Sequence, residues 1–273
     1  VHSVRADRND PVALARALDI VAPRIVIDMI AYRREDIERL LAALPHSVER
    51  LVVISSGDVY ASYGVFLGLS SGPPVARASD EQAPLRTELF PYRRRAQGPN
   101  DMLFFYEKIL VERAATAWSR GATTVLRLPM VYGPDDKQRR VAKYIERFRT
   151  SAGTIRINAA EAAWHCTRGY VGDVAAAIKL ATLSDAADGR VFNLGEPVAL
   201  SELAWARAIA TAAGWRGEVV ADADAPPALP ANWSAGLTID TAQIRHVLGY
   251  DEPVGRDEGL RRTVTSITSG SGI

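Results

Sequence analysis

A single cysteine, three methionines and four histidines leave this 273-residue chain few groups for thiol or metal chemistry. Cys166 alone cannot close an intramolecular disulfide, which suits a reducing compartment. His2, His46, His165 and His246 are scattered without the spacing of a zinc site, so no metal is expected. Charge of one sign is also lacking: 33 Lys and Arg face 32 Asp and Glu, a formal net charge of +1. That balance argues against a dedicated nucleic-acid or membrane surface. The clusters Arg93-Arg94-Arg95 and Arg139-Arg140 read first as solvated loops. No apolar run is long enough to span a bilayer, and no signal-peptide pattern opens the chain. The expectation is therefore a soluble cytoplasmic protein. An initiator methionine is missing as well, and Val1 leads straight into what reads as the middle of a fold, as if an upstream segment were absent.

What is present is an alternation of strand-like and helix-like segments. The length suits one large domain or a domain with a lobe. Asp10 and Pro11 open a helix with Val12, Leu14, Ala15 and Leu18 on its apolar face. A short buried-type strand covers 24–29, a helix 36–44 and a second strand 51–54. A loop rich in Gly, Pro, Ser and Arg covers 62–100, a length that is usually functional or disordered. Helix returns over 101–120, strand over 123–128, helix over 170–182 and strand over 190–195. The remainder reads as mostly helical, with a Pro- and Ala-rich linker at 225–230 and a short helix stopped by Gly249. Repeated strand–helix order implies an α/β fold with a parallel sheet. The second strand, Val52-Val53-Ile54, ends abruptly in Ser55-Ser56-Gly57-Asp58-Val59-Tyr60. Ligands sit just beyond the carboxyl ends of such strands, so these polar side chains stand where chemistry happens.

Taken in order, several strings resemble the extended short-chain dehydrogenase/reductase superfamily, in its NAD-dependent epimerase/dehydratase group. They are Ala6-Asp7-Arg8-Asn9-Asp10, Met29-Ile30-Ala31, the Ser55-to-Tyr60 run and Lys108-Ile109-Leu110-Val111-Glu112. Arg127-Leu128-Pro129-Met130-Val131-Tyr132-Gly133-Pro134, Tyr170-Val171-Gly172-Asp173 and Phe192-Asn193-Leu194-Gly195 complete the set. The resemblance implies a Rossmann-type doubly wound sheet over 1–134 and 170–195, with a smaller substrate lobe from 135–169 and 196–273. It implies NAD or NADP as cofactor and a sugar nucleotide or related small molecule as substrate. It also implies a homodimer through a four-helix bundle that includes the helix holding Phe104. Ser56, Asp58, Tyr106 and Lys108 are the implied catalytic set. Cofactor contacts fall on Asp7, Arg8, Ile30, Ala31, Ser55, Lys108, Pro129, Met130 and Val131. Substrate contacts fall on Tyr60, Tyr132, Arg139 and Arg140, the arginine pair suiting a phosphate or carboxylate.

Two departures bear on function. No Gly-x-Gly-x-x-Gly follows a strand, and Gly64, Gly68 and Gly72 lie in a loop. The family carries that phosphate-binding unit upstream of where this chain begins, so the first βαβ unit reads as missing. The second departure is Phe104, four residues before Lys108, where the family pattern has its proton-exchanging tyrosine. Tyr106 is two residues from Lys108, about 200° around a regular helix, and so faces away unless the helix is irregular. A slow or altered reaction is one expectation. The alternative is a cofactor-binding regulator or RNA-binding relative that kept the fold and lost turnover.

Overall fold

The computed structural model describes residues 3–72 and 77–269, so His2 and 73–76 of the long loop lie outside the described residues. The first helix, α1 (Pro11–Val21), starts where Asp10 accepts the amides of Val12 and Ala13 at 2.9 and 3.1 Å. A carboxylate cap with proline at the first helical position is the start the sequence predicts. No residue of α1 is buried. Asp10→Ala is therefore expected to cost about 1 kcal/mol, read as faster amide exchange confined to 11–21.

Next come β1 (Ile25–Asp28), α2 (Arg34–Ala43), β2 (Arg50–Ser56) and α3 (Ala61–Phe66). After a long connection follow α4 (Lys108–Thr116), β3 (Ala122–Leu128) and β4 (Met130–Tyr132). The chain continues through α5 (Ala142–Thr150), β5 (Thr154–Asn158), α6 (Ala159–Ala163), β6 (His165–Cys166) and β7 (Arg168–Tyr170). It ends in α7 (Val171–Leu183), β8 (Val191–Asn193), β9 (Leu200–Ser201), α8 (Glu202–Ala212), β10 (Glu218–Asp222), α9 (Ala242–Leu248) and α10 (Arg256–Ser269).

Four strands make one parallel sheet in the order β1-β2-β3-β8. Alternation along β2 sends its side chains to two different helix layers. Leu51 and Val53 pack with Ile37 and Leu40 of α2 and Val111 of α4. Val52 and Ile54 pack with Val174 and Ile178 of α7 and Ile244 of α9. Burial on both faces is why the strand reads as an unbroken apolar run. Residues 242–250 thus return to the sheet, although they lie inside the span 196–273 expected to form the lobe. A separate core gathers Tyr132, Tyr144, Ile145, Phe148, Trp205, Ile209 and Leu260, joining α5, α8 and α10 beside the β5–β10 pair. Gly249 ends α9 in the left-handed region (φ 65°), as its position in the sequence predicts.

The helix expected over 101–120 is corrected most. Only a single turn of 3-10 helix covers Met102–Phe104, and α4 begins at Lys108. Tertiary contacts explain the break. The Glu107 amide donates to the Tyr32 carbonyl at 2.8 Å, and its backbone is extended at φ −157°. Its carboxylate caps the Ile109 amide, accepts the Phe90 amide and pairs with Arg86 at 3.0 Å. Phe104 is consequently not on the same helix as Lys108. The loop expected over 62–100 also holds α3 and a 3-10 turn at Arg93–Arg95. Among the described residues, no helix is long and apolar enough to cross a membrane.

Candidate active site

The carboxyl end of β2 delivers Ser56, and the 3-10 turn Gly57–Val59 that follows delivers Asp58. The break before α4 turns Tyr106 inward, so that its hydroxyl donates to Asp58 Oδ2 at 2.9 Å. A regular helix would have aimed it elsewhere. Tyr92, from the long connection, donates to the same oxygen at 2.9 Å, and its hydroxyl lies 3.0 Å from that of Tyr63 on α3. Ser56, Asp58, Tyr63, Tyr92 and Tyr106 line a cavity of about 470 Å³, with Tyr32, Pro129 and Met130 among its other walls.

Burial, then the Asp58 charge, holds the Tyr106 and Tyr92 phenols well above the ordinary tyrosine range. Burial also raises the Asp58 carboxyl, against the opposing charge of Arg86 and the hydrogen bonds from Tyr106 and Tyr92. Lys108 sits beneath this cluster, 3% exposed, donating to the carbonyls of Ala31 and Ile54 at 2.6 and 2.8 Å. Its ammonium is 5.0 Å from the centre of the Tyr32 ring. Burial pushes Lys108 down to about 8, while Asp58 and Asp28 oppose the shift. An ammonium has three N–H donors, and Lys108 spends two of them tying the loop at Ala31 to the end of β2, behind a cavity whose lining it does not join. The Ser56 and Tyr106 hydroxyls stand beside it at the sheet's carboxyl edge.

Other residues in the expected set stand elsewhere. Ser55 shares the parity of Leu51 and Val53, so its hydroxyl turns toward α4 and donates to Glu112 at 2.5 Å. Tyr60 is fully buried, donating to Asn193 at 2.7 Å and accepting from Arg127 at 3.0 Å. Tyr132 is also fully buried, bound to Glu196 and packed against Trp205. These three are core residues, and their placement corrects the expectation of direct cofactor or substrate contact by their side chains. Arg8 is drawn to Asp28 at 2.9 Å, and Asp7 accepts the Asn9 amide, each holding local structure. Asp28 in turn accepts the amides of Ile30 and Ala31, fixing the loop after β1. Val131 lies outside the cavity lining, its carbonyl taken by Arg140. Arg139 is exposed and ion-paired with Glu146, away from the cavity. Arg140 does line it, held by Asp136 at 2.9 Å. Cys166 lines the cavity too, but burial pushes its thiol up to about 11, which suits an inert core thiol.

A second cavity of about 910 Å³ adjoins the first through Tyr63, Arg95, Met130, Gln138 and Arg140. Trp164, Trp205 and Trp233 form its aromatic walls, and Lys143, Arg147 and Arg168 supply cations. Arg168 is committed to Glu202, whereas Arg95, Lys143 and Arg147 form no ion pair among the described residues. Sequence reasoning missed Tyr63 and Tyr92 and read Arg95 as part of a solvated loop, because loop and lobe segments carry no periodicity that marks a site. No group of three or more His, Cys, Asp or Glu among the described residues could hold a metal ion.

The fold has known counterparts. The chain is similar to UDP-glucose 4-epimerase from Thermotoga maritima with UDP-glucose (19% identity, TM-score 0.68, covering 97% of this chain and 84% of that one). It is similar to UDP-glucose 4-epimerase from Thermus thermophilus in complex with NAD (22%, TM-score 0.67, 97% and 84%). RMD from Pseudomonas aeruginosa complexed with NADPH matches as well (19%, TM-score 0.71, 98% and 88%). At such identities the likeness establishes the fold. No curated protein matches this chain in sequence. The model of one family covers residues 1–195, well over half the chain and all of the sheet, and it assigns the protein to the NAD dependent epimerase/dehydratase family.

Proposed function

We propose that this protein is an NAD(P)-dependent enzyme that oxidises, and in an epimerase or dehydratase cycle re-reduces, a hydroxyl-bearing carbon of a sugar nucleotide. One observation carries the reading. The Ser56–Asp58–Tyr106 cluster lines a cavity that adjoins a second one, walled by tryptophans and by three cations without ion pairs. Aromatic walls suit a base or sugar face, and arginine and lysine without a carboxylate partner suit a diphosphate. The structural relatives bound to UDP-glucose and to NAD support the same class. When bound, the nicotinamide supplies the hydride acceptor. Ser56 holds the reacting oxygen by hydrogen bond, Tyr106 exchanges its proton, and Lys108 grips the ribose while fixing the loop at Ala31. Because Tyr106 reaches the site, Phe104 does not by itself imply lost turnover, and the regulator reading is not favoured.

Titration with NADH and NADPH by cofactor fluorescence, followed by assay with UDP-glucose as probe, tests this on the chain beside a version extended upstream to carry the glycine motif. Cofactor binding and cofactor-dependent conversion are expected of the extended version, and absence of both there would sink the proposal. Lys108→Met removes a charged donor and is expected to weaken cofactor binding roughly ten- to a hundredfold. Lys108 carries its charge below its pKa of about 8, so wild-type affinity is expected to fall as pH rises through that value. In Lys108→Met that pH dependence should vanish.

A further inference from the structure

Every buried carboxylate among the described residues but one is held by a backbone amide or an arginine. Asp28 and Asp36 accept two amides each along with an arginine. Asp173 accepts the amides of Val254 and Gly255. Glu81 and Glu161 accept one amide each, while Glu107, Glu112 and Glu196 are paired with arginines. Asp58 has neither, though it is only 4% exposed. Its Oδ2 receives two phenols, and its Oδ1 is buried with no partner at all. It caps no turn, and the guanidinium of Arg86 binds its backbone carbonyl rather than its side chain. A buried charge left this way is costly and calls for a reason.

We propose that Asp58 is the proton acceptor of this site, reached through the Tyr106 phenol, with Tyr92 and Tyr63 holding the carboxylate in line. The inference rests on the oxidoreductase reading above. With a nicotinamide bound, it would accept the hydride, electron pair included, that leaves the substrate carbon as the C–H bond breaks. The substrate O–H proton passes to Tyr106 Oη, and the Tyr106 proton passes across 2.9 Å to Asp58 Oδ2. Reduction runs the same transfers backward, leaving Asp58 ionised. Once Oδ2 holds the proton it donates back to Tyr106 Oη, so that hydrogen bond reverses rather than breaks, and no amide or arginine partner has to be given up. The pKa directions agree. Burial and the Asp58 charge hold the phenol well above its ordinary range, and burial raises the carboxyl, which brings Asp58 nearer to an effective acceptor. The charged and titratable groups around Asp58 are Arg86 (already paired with Glu107), Lys108 beneath, and Tyr63, Tyr92 and Tyr106. None is a cation ion-paired with its carboxylate.

The first readout needs no substrate. Tyrosinate absorbance of the free protein is followed through alkaline pH for wild type, Asp58→Asn and Tyr106→Phe. Loss of the Asp58 charge is expected to move part of the tyrosinate titration to lower pH, and the moved part should be missing from the Asp58→Asn/Tyr106→Phe double variant. The second readout is turnover of UDP-glucose with NAD. The wild-type rate should fall with acid at a pH above the ordinary aspartate value of about 3.9. Asp58→Asn should lose about a hundred- to ten-thousand-fold in kcat. A folded Asp58→Asn protein with an unmoved tyrosinate titration, or with the wild-type rate and acid limb, overturns the proposal. If Asp58→Asn does not fold, Tyr92→Phe serves instead. Removing one donor makes Asp58 more basic, so the acid limb should move to higher pH, and a limb that stays put overturns the relay. A wild type that shows the coupled titration yet neither binds cofactor nor turns over would instead remove the oxidoreductase reading.

Discussion

Tyr106→Phe is expected to reduce turnover about a hundred- to ten-thousand-fold, with cofactor affinity close to wild type. The phenol is the hydroxyl that joins the cavity to Asp58, and phenylalanine keeps the ring contacts with Tyr32 and Tyr92 while deleting the proton path. The complementary change, Phe104→Tyr, is expected to leave the rate where it is and to rescue nothing in the Tyr106→Phe background. Phe104 lies in the 3-10 turn before α4, its ring packed on Phe105 at 4.8 Å and under Arg93 at 4.9 Å, outside the cavity lining. Steady-state kinetics on the two single variants and the double variant decide the matter. Recovery of activity by Phe104→Tyr would mean that the helix extends back past Lys108 in the working enzyme.

Arg127→Leu is expected to destabilise the protein by about 3–5 kcal/mol, against a total stability of roughly 5–15 kcal/mol for a typical domain. Arg127 binds both oxygens of Glu112 at 3.0 and 2.7 Å and reaches Tyr60 and the Glu81 carbonyl at 3.0 and 3.1 Å. Ser55 completes the Glu112 partners, and Tyr60 passes the network on to Asn193. Asn193 ties in the carbonyls of Ser79 and Asp240 at 3.0 and 2.9 Å. Losing the guanidinium strands a buried carboxylate, so the cost is that of an unpaired charge rather than of a lost contact. Urea unfolding should show a lower midpoint at unchanged slope. A Glu112→Met/Arg127→Leu double variant, which removes both charges, should recover part of the loss. A single variant as stable as wild type would mean that this network is not dry.

This network also explains why several family strings are poor guides to contact residues. The Tyr60, Glu112, Arg127 and Asn193 strings were legible because they resemble family motifs, yet they meet behind the site, where they lock β2, β3, β8 and α4 together. Their role is to hold Ser56 and Asp58 in place from beneath. Motif spacing cannot separate the two kinds of residue, since neighbours on a strand such as Ser55 and Ser56 point to opposite faces.

The linear order of residues determined the alternating α/β architecture, the cap at Asp10, the stop at Gly249 and the strand end that carries Ser56 and Asp58. Each of these is set by local chemistry: apolar runs, a carboxylate next to amides, a glycine free to take a positive φ. Tertiary structure alone decided that Tyr106 faces the cavity, because an amide bonded to Tyr32 and a carboxylate committed to Arg86 stop the helix at Lys108. It alone brought Tyr92 onto Asp58 and Tyr63 onto Tyr92, from a loop and a short helix with no periodic signal. Helix start and side-chain direction there depend on partners far away in sequence, and those partners exist only once the chain has folded.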